Sequence, residues 1–209
     1  VREAEAEQLV EAQHARVRQF GEPRFQGQAQ LACGDHAAEG VAAVLAGLQQ
    51  SGPGDVLVVD AGTTEHAVLG ELFATEAVRR GMAGIVVYGL CRDTATLTEL
   101  PMPIYSLGTI PRAVGARRIP STQQAVRLGD VEVHPGEILI GDDDGIVALS
   151  DSELDAALDA AEAIQHREAA IRADILDGSS LFDQLNFAEH IDNLRAGRSS
   201  SLSFRAPDA

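Results

Sequence analysis

The chain has 209 residues, 45% of them hydrophobic, which suits one buried core with extensions. Its formal net charge of −16 repels a phosphate backbone, so it argues against direct nucleic-acid binding while leaving a basic protein partner open. All sixteen positive side chains are arginine, which excludes chemistry through a lysine Schiff base.

Residues 2 to 19 read as a polar helix with a thin apolar stripe that includes Leu9 and Val17. Residues 24–33 alternate polar and apolar side chains, the period of a strand. A helix is expected over 35–50, capped by Asp35 and closed by Gly52, with Val41, Val44, Leu45 and Leu48 on one face. The run 56–62 is a buried strand emptying into a loop. Residues 67–81 predict a helix stopped by Gly81, and 83–89 a second buried strand. Strand, helix and strand in this order make a parallel crossover unit. Ligands of such sheets sit beyond the carboxyl ends of the strands, where Asp60, Gly62, Gly89, Arg92 and Asp93 fall. Residues 102–108 predict another strand. Between 126 and 149, short apolar runs broken by Gly-Asp, Pro-Gly and Asp-Gly predict antiparallel hairpins. A long amphipathic helix follows over 151–177, then a shorter one over 180–195, and a polar tail expected to be mobile. The organisation expected is an N-terminal helix (1–20), an α/β core (21–150) and a C-terminal helical extension with its tail (151–209).

Cys33 and Cys91 each lie in an apolar stretch and read as buried thiols, too few for a disulfide scaffold. The apolar runs are strand-sized, so no membrane span is expected. The charged N-terminal stretch is unlike a signal peptide, and a cytoplasmic location is expected.

Two features carry chemistry. Gly70 permits close backbone approach to a ligand. If a helix opens there, the N–H groups of Glu71, Leu72 and Phe73 lack internal partners and form a site for a carboxylate or phosphate. The alternative is that Gly70 sits inside a longer helix beginning near Thr63 or Thr64. The adjacent pair Arg92–Asp93 offers a fork for a carboxylate and a hard oxygen for Mg²⁺ or Mn²⁺. A 2-oxo acid needs both, because its carboxylate wants a cation and its keto oxygen a Lewis acid. Such a pair also occurs as an ordinary surface turn. Twenty residues separate Glu71 from Arg92, one helix and one strand, which brings both to the same end of one unit.

Four stretches in this order, "GDVLVVDAG", "AVLGELFATEAVRRGMAGIVVYGLCRD", "LGTIPR" and "VEVHPGEILIGDDDGIV", resemble the family of the regulator of ribonuclease activity A and the 4-hydroxy-4-methyl-2-oxoglutarate aldolases. The resemblance runs from about Gly54 to Leu149. It implies a layered α/β domain of swivelling β/β/α type with flanking helices, assembled as a homotrimer or hexamer with sites near subunit interfaces. It implies a class II pyruvate-type lyase, cleaving a 2-oxo acid by retro-aldol reaction or decarboxylating oxaloacetate. Asp93 would then bind Mg²⁺ or Mn²⁺, and Arg92 would hold the pyruvyl carboxylate and stabilise the enolate. Glu71 would reach the metal through water or orient a catalytic water, and the backbone at Gly70, Leu72 and Phe73 would bind the substrate carboxylate. Some members carry an older methyltransferase name, but no glycine-rich loop suited to S-adenosylmethionine follows the first strand.

The chain departs from the family pattern. Thr96 stands where aldolase members usually have an acid, Tyr88 where a small polar residue is common, and Glu65 and His66 enter the loop near the site. These departures suggest a changed substrate or a specialised lyase rather than the ordinary aldolase. The "GDDDG" turn reads as an acidic hairpin turn rather than a calcium loop. No histidine pair has metal-ligand spacing. Arg112, Arg117 and Arg118 are candidates for a second substrate carboxylate or simply an exposed loop. Leu181, Phe182, Leu185 and Phe187 form an apolar stripe that either packs within the chain or covers a neighbour's site. The second functional reading is non-catalytic: a ring-shaped regulator that docks on a ribonuclease or another basic protein, as the charge permits.

Overall fold

In the computed structural model, residues 16–17, 25–33, 40–62, 65–113 and 121–205 are described. The strands are β1 (Arg16–Val17), β2 (Phe25–Cys33), β3 (Val56–Asp60), β4 (Ala67–Leu69), β5 (Gly84–Cys91), β6 (Ile104–Thr109), β7 (Ser121–Thr122), β8 (Val126–Leu128), β9 (Val131–Val133), β10 (Ile138–Gly141) and β11 (Ile146–Leu149). The helices are α1 (Gly40–Gln50), α2 (Glu71–Arg79), α3 (Thr94–Leu97), α4 (Asp151–Leu176) and α5 (Phe187–Arg195). The chain divides into two compact units, Val1–Ser152 and Glu153–Ala209.

The first unit is built on a sheet ordered β1-β6-β5-β3-β2-β10-β11, with β4 paired to β5 and β7 to β2. Its centre, β2-β3-β5-β6, is parallel. Both faces of this centre are covered, so β3 reads as an unbroken apolar run rather than an alternation. Leu57 and Val59 meet Ala43, Val44, Leu48, Ala74 and Ala77 of the helices in one core cluster. Val56 and Val58 face the other way, toward Val126, Val133 and Leu139 of the hairpin strands. The two hairpins expected between 126 and 149 are present as β8–β9 and β10–β11.

Two expectations change in this unit. The helix foreseen over 67–81 begins only at Glu71, because Ala67–Leu69 forms a strand. β3 pairs with β5 as far as Tyr88, and β4 takes over beside β5 at Leu90 and Cys91. Hydrogen bonding to that edge, with full burial of Ala67, Val68 and Leu69, outweighs the helical preference of Ala and Leu. Within the helix foreseen over 2–19, the described residues Arg16–Val17 are extended and pair antiparallel with β6. The rest of that segment, like the proposed cap Asp35, lies outside the described residues.

The second unit holds most of α4, then α5 and the tail. The helix foreseen over 180–195 starts at Phe187, after a turn held by the Asp183 N–H to Ser180 C=O bond. The described part of the tail runs to Arg205. Asn186 brackets it, accepting from the Ser203 N–H on Oδ1 and donating through Nδ2 to the Ser201 carbonyl, while Leu185 bridges to Phe204. Of the expected apolar stripe, the rings of Phe182 and Phe187 meet with centroids 5.5 Å apart. Among the described residues, no helix is long and apolar enough to cross a membrane.

Candidate active site

The site is assembled where β4 and β5 end side by side. The Arg92 N–H donates to the Leu69 carbonyl at 3.0 Å, tying the two strand ends together. Asp93 then takes a left-handed conformation, φ 59° and ψ 37°. L-residues seldom adopt that region, Asp more readily than most, and such strain concentrates at functional sites. The turn carries the Asp93 carboxylate to the start of α2, where Oδ2 accepts the Glu71 N–H at 3.1 Å.

Gly70 makes this approach possible. Its own φ of −147° suits any residue, so its role is not conformational. A Cβ there would lie 2.6 Å from Asp93 Oδ2 and 3.1 Å from Arg92 Nε. The close packing of Asp93 and Arg92 over a bare backbone is thus what the missing Cβ permits, and a side chain there would push their ends aside. Arg92 Nε lies 3.5 Å from Asp93 Oδ2, and both side chains are partly exposed.

The two possibilities for Gly70 are now separated: it precedes α2 rather than lying inside a longer helix. The first intrahelical bond runs from the Ala74 N–H to the Gly70 carbonyl. The Glu71 N–H is engaged by Asp93, and no hydrogen bond among the described residues engages those of Leu72 and Phe73. Those two amides lie at the positive end of the helix, where negative charge is favoured.

The Glu71 carboxylate is held separately. Its Oε2 accepts a hydrogen bond from Thr96 Oγ1 at 3.0 Å, across twenty-five residues of sequence. Thr96 stands on α3, a single turn docked by the fully buried Leu97. Below the site, Cys91 is buried with its thiol 3.3 Å from the Ser106 hydroxyl. Burial pushes the Cys91 thiol above its ordinary value, and the Ser106 hydrogen bond opposes that push.

Gly70, Glu71, Arg92 and Asp93, foreseen from the sequence, thus converge with the amides of Leu72 and Phe73 in one helical turn. Thr96, noted in the sequence only as a departure, joins them. No sequence signal shows that its hydroxyl reaches Glu71, because the contact depends on how α3 docks. His66 lies before β4, at the end of that strand away from Gly70, with its Nδ1 buried and unpartnered among the described residues. Arg112 has its carbonyl on the Ala67 N–H at 2.7 Å and its side chain exposed. Arg117 and Arg118 lie outside the described residues. The "GDDDG" turn is closed on itself, Asp142 Oδ1 accepting from the N–H groups of Asp144 and Gly145.

No group of three His, Cys, Asp or Glu side chains that could hold a metal occurs among the described residues. Carboxylate oxygens nevertheless suit Mg²⁺ or Mn²⁺, and Mg²⁺ commonly takes only one or two protein carboxylates, keeping water or substrate as its other ligands. Asp93 and Glu71, which both carry partly exposed carboxylates at the start of α2, form a donor set of that kind.

Comparison with known proteins places this arrangement. The chain is 33% identical over 129 residues to an uncharacterized protein of Methanocaldococcus jannaschii, covering 62% of each chain. It is 32% identical over 149 residues to a Halalkalibacterium halodurans protein provisionally named 4-hydroxy-4-methyl-2-oxoglutarate aldolase, covering 71% of this chain and 69% of that one. Among solved structures, it resembles Streptomyces coelicolor RraAS2, titled an unusual member of the RNase ES inhibitor RraA protein family. That likeness has a TM-score of 0.60 at 32% identity, over 71% of this chain and 76% of the other. Several of the matches span less than two thirds of the curated relative, 62% for the archaeal protein and 63% for one from Alcanivorax borkumensis. The profile of the RraA-like family, Aldolase/RraA, matches residues 6–148. That match takes in the parallel sheet and the whole turn from Gly70 to Thr96, and so the chain belongs to the RraA-like family.

Proposed function

We propose that this chain is a divalent-metal-dependent lyase that cleaves a C–C bond of a 2-oxo acid, by retro-aldol reaction or by β-decarboxylation of the oxaloacetate type. The observation that carries the reading is the meeting of Arg92 and Asp93 with the N-terminal turn of α2 over Gly70. The naming of relatives as aldolases supports the same class of reaction.

Each group has a task in that chemistry. The Arg92 guanidinium pairs with the substrate carboxylate through two parallel hydrogen bonds and balances the negative charge that develops as the C–C bond breaks. The Leu72 and Phe73 amides bind the same carboxylate at the positive end of α2. Asp93 and Glu71 would hold Mg²⁺ or Mn²⁺, which when bound supplies Lewis-acid polarisation of the keto oxygen. Asp93 is kept in place for that task by the Glu71 N–H. The absence of lysine agrees with a route that forms no Schiff base.

The test is pyruvate release, coupled to lactate dehydrogenase, from oxaloacetate and from 4-hydroxy-4-methyl-2-oxoglutarate, with Mg²⁺ or Mn²⁺ and again with EDTA. Release above the metal-only background that EDTA abolishes is expected. Arg92→Ala and Asp93→Ala should each lower kcat/KM by about 100-fold or more while circular dichroism stays unchanged. Undiminished turnover in either variant sinks the reading.

A second reading is favoured by the net charge of −16 and by the likeness to an RNase ES inhibitor family member. In it the chain is a ring-shaped regulator of a basic protein. Capture of such a partner should then weaken steeply between low and physiological salt, and should survive Arg92→Ala.

A further inference from the structure

We infer that Thr96 is a positioning residue for Glu71, an inference that rests on the lyase reading and deepens it. Thr96 carries its hydroxyl on α3, where a helical threonine ordinarily turns back to a carbonyl three or four residues earlier. Two residues on, Thr98 does this, donating to the Ala95 carbonyl at 2.8 Å. Thr96 instead donates outward to Glu71 Oε2 at 3.0 Å. The same short segment thus contains a threonine bonded locally and one spent on the site.

The surroundings make Thr96 a stiff arm. Its β-branched side chain has few rotamers. The next residue, Leu97, is 1% exposed and anchors the turn in the main core cluster. The Leu97 N–H also donates to the Asp93 carbonyl at 3.1 Å, tying Asp93 to the turn that carries Thr96. Glu71 is the opposite: a long, exposed side chain on the first turn of a helix, with much rotamer freedom to lose.

The contact selects one placement of that carboxylate. With Oε2 bound to Thr96, Glu71 is drawn toward the Asp93 side of the site. It is thereby kept from lying against the amides of Leu72 and Phe73, which the substrate carboxylate needs. Oε1 accepts no hydrogen bond among the described residues and would be left to face a divalent metal or a water. Neither Asp93 nor Arg92 forms a hydrogen bond with the Glu71 carboxylate among the described residues, so Thr96 supplies the hold.

The experiment compares Thr96→Val, which keeps the shape and removes the donor, with Thr96→Ser, which keeps the donor. Each is made in the wild-type and in the Glu71→Gln background. Three readouts are taken: the kcat and KM of pyruvate release, Mn²⁺ affinity by electron paramagnetic resonance, and the melting temperature. Thr96→Val is expected to lower kcat about tenfold with KM nearly unchanged, and to weaken Mn²⁺ binding severalfold. Thr96→Ser should restore both, and Thr96→Val should cost nothing further once Glu71 is Gln. A wild-type-like Thr96→Val overturns the inference. So does a Thr96→Ser as impaired as Thr96→Val, or an equal loss in the Glu71→Gln background. The Arg92→Ala and Asp93→Ala arms report separately on the lyase reading. If the wild type turns over neither 2-oxo acid, Mn²⁺ affinity decides: loss in Thr96→Val with recovery in Thr96→Ser sustains the role, and equal affinities end it. A wild type that binds no Mn²⁺ and turns over nothing ends both.

Discussion

Gly70 illustrates how a single hydrogen atom can decide a site. An added methyl group would meet the end of the Asp93 side chain, not rigid backbone, so the fold can yield at modest cost. Gly70→Ala should therefore stay folded, losing about 1–3 kcal/mol at most, while displacement of Asp93 lowers activity about 100-fold. Denaturant melts beside kinetics would check that contrast. Cys91 gives a test of packing beneath the site. Its raised thiol value means that the stability it contributes is complete below the ordinary cysteine range and is lost as pH climbs through the folded-state value. In the native protein Cys91 should resist a disulfide reagent at mildly alkaline pH and react only on unfolding, read in a Cys33→Ser background. Arg92 and Asp93 were legible in the sequence because two charged residues end an apolar strand. The left-handed turn at Asp93 and its bond to the Glu71 N–H were not, since they join groups twenty-two residues apart. Propensity describes neighbours along the chain and says nothing of that approach.

At the level of elements, α2 and α3 are positioned by different means. The acid Glu76 on α2 is clasped by hydrogen bonds from Arg79 and Arg80, which hold its carboxyl down at about 2. That contribution is fully present above the ordinary glutamate value and fades as pH falls toward about 2. Glu76→Gln should flatten the acid side of the melting-temperature profile and leave neutral-pH activity alone. α3 depends on one buried side chain instead. Leu97→Ala should cost about 2–5 kcal/mol and also free the arm that carries Thr96. The central strands were readable because β3 and β5 are continuous apolar runs between polar turns. β4 was misread as helix because three residues of Ala, Val and Leu carry no period of their own, and only the open edge of β5 assigns them. The α4 boundaries were nearly right, yet none of its residues is buried, so a pattern with helical spacing there reports helix without reporting a core contact.

Across the whole molecule, the family match stops at residue 148, four residues short of the end of the first compact unit. No described residue from Glu153 onward is buried, whereas the first unit holds every residue of both core clusters. The sequence led to the expectation of a helical extension from 151, but gave no sign that the polar tail returns to Asn186. The proposed trimer or hexamer predicts a corresponding mass by light scattering with size exclusion, and a monomer at working concentration would count against sites shared at interfaces. Arg92, Asp93 and Thr96 occupy five consecutive positions between a buried strand and a buried leucine. That part of the proposed site is thus a short segment held at both ends by buried residues. Substitutions confined to those five positions can therefore alter the proposed chemistry while leaving the buried residues on either side in place.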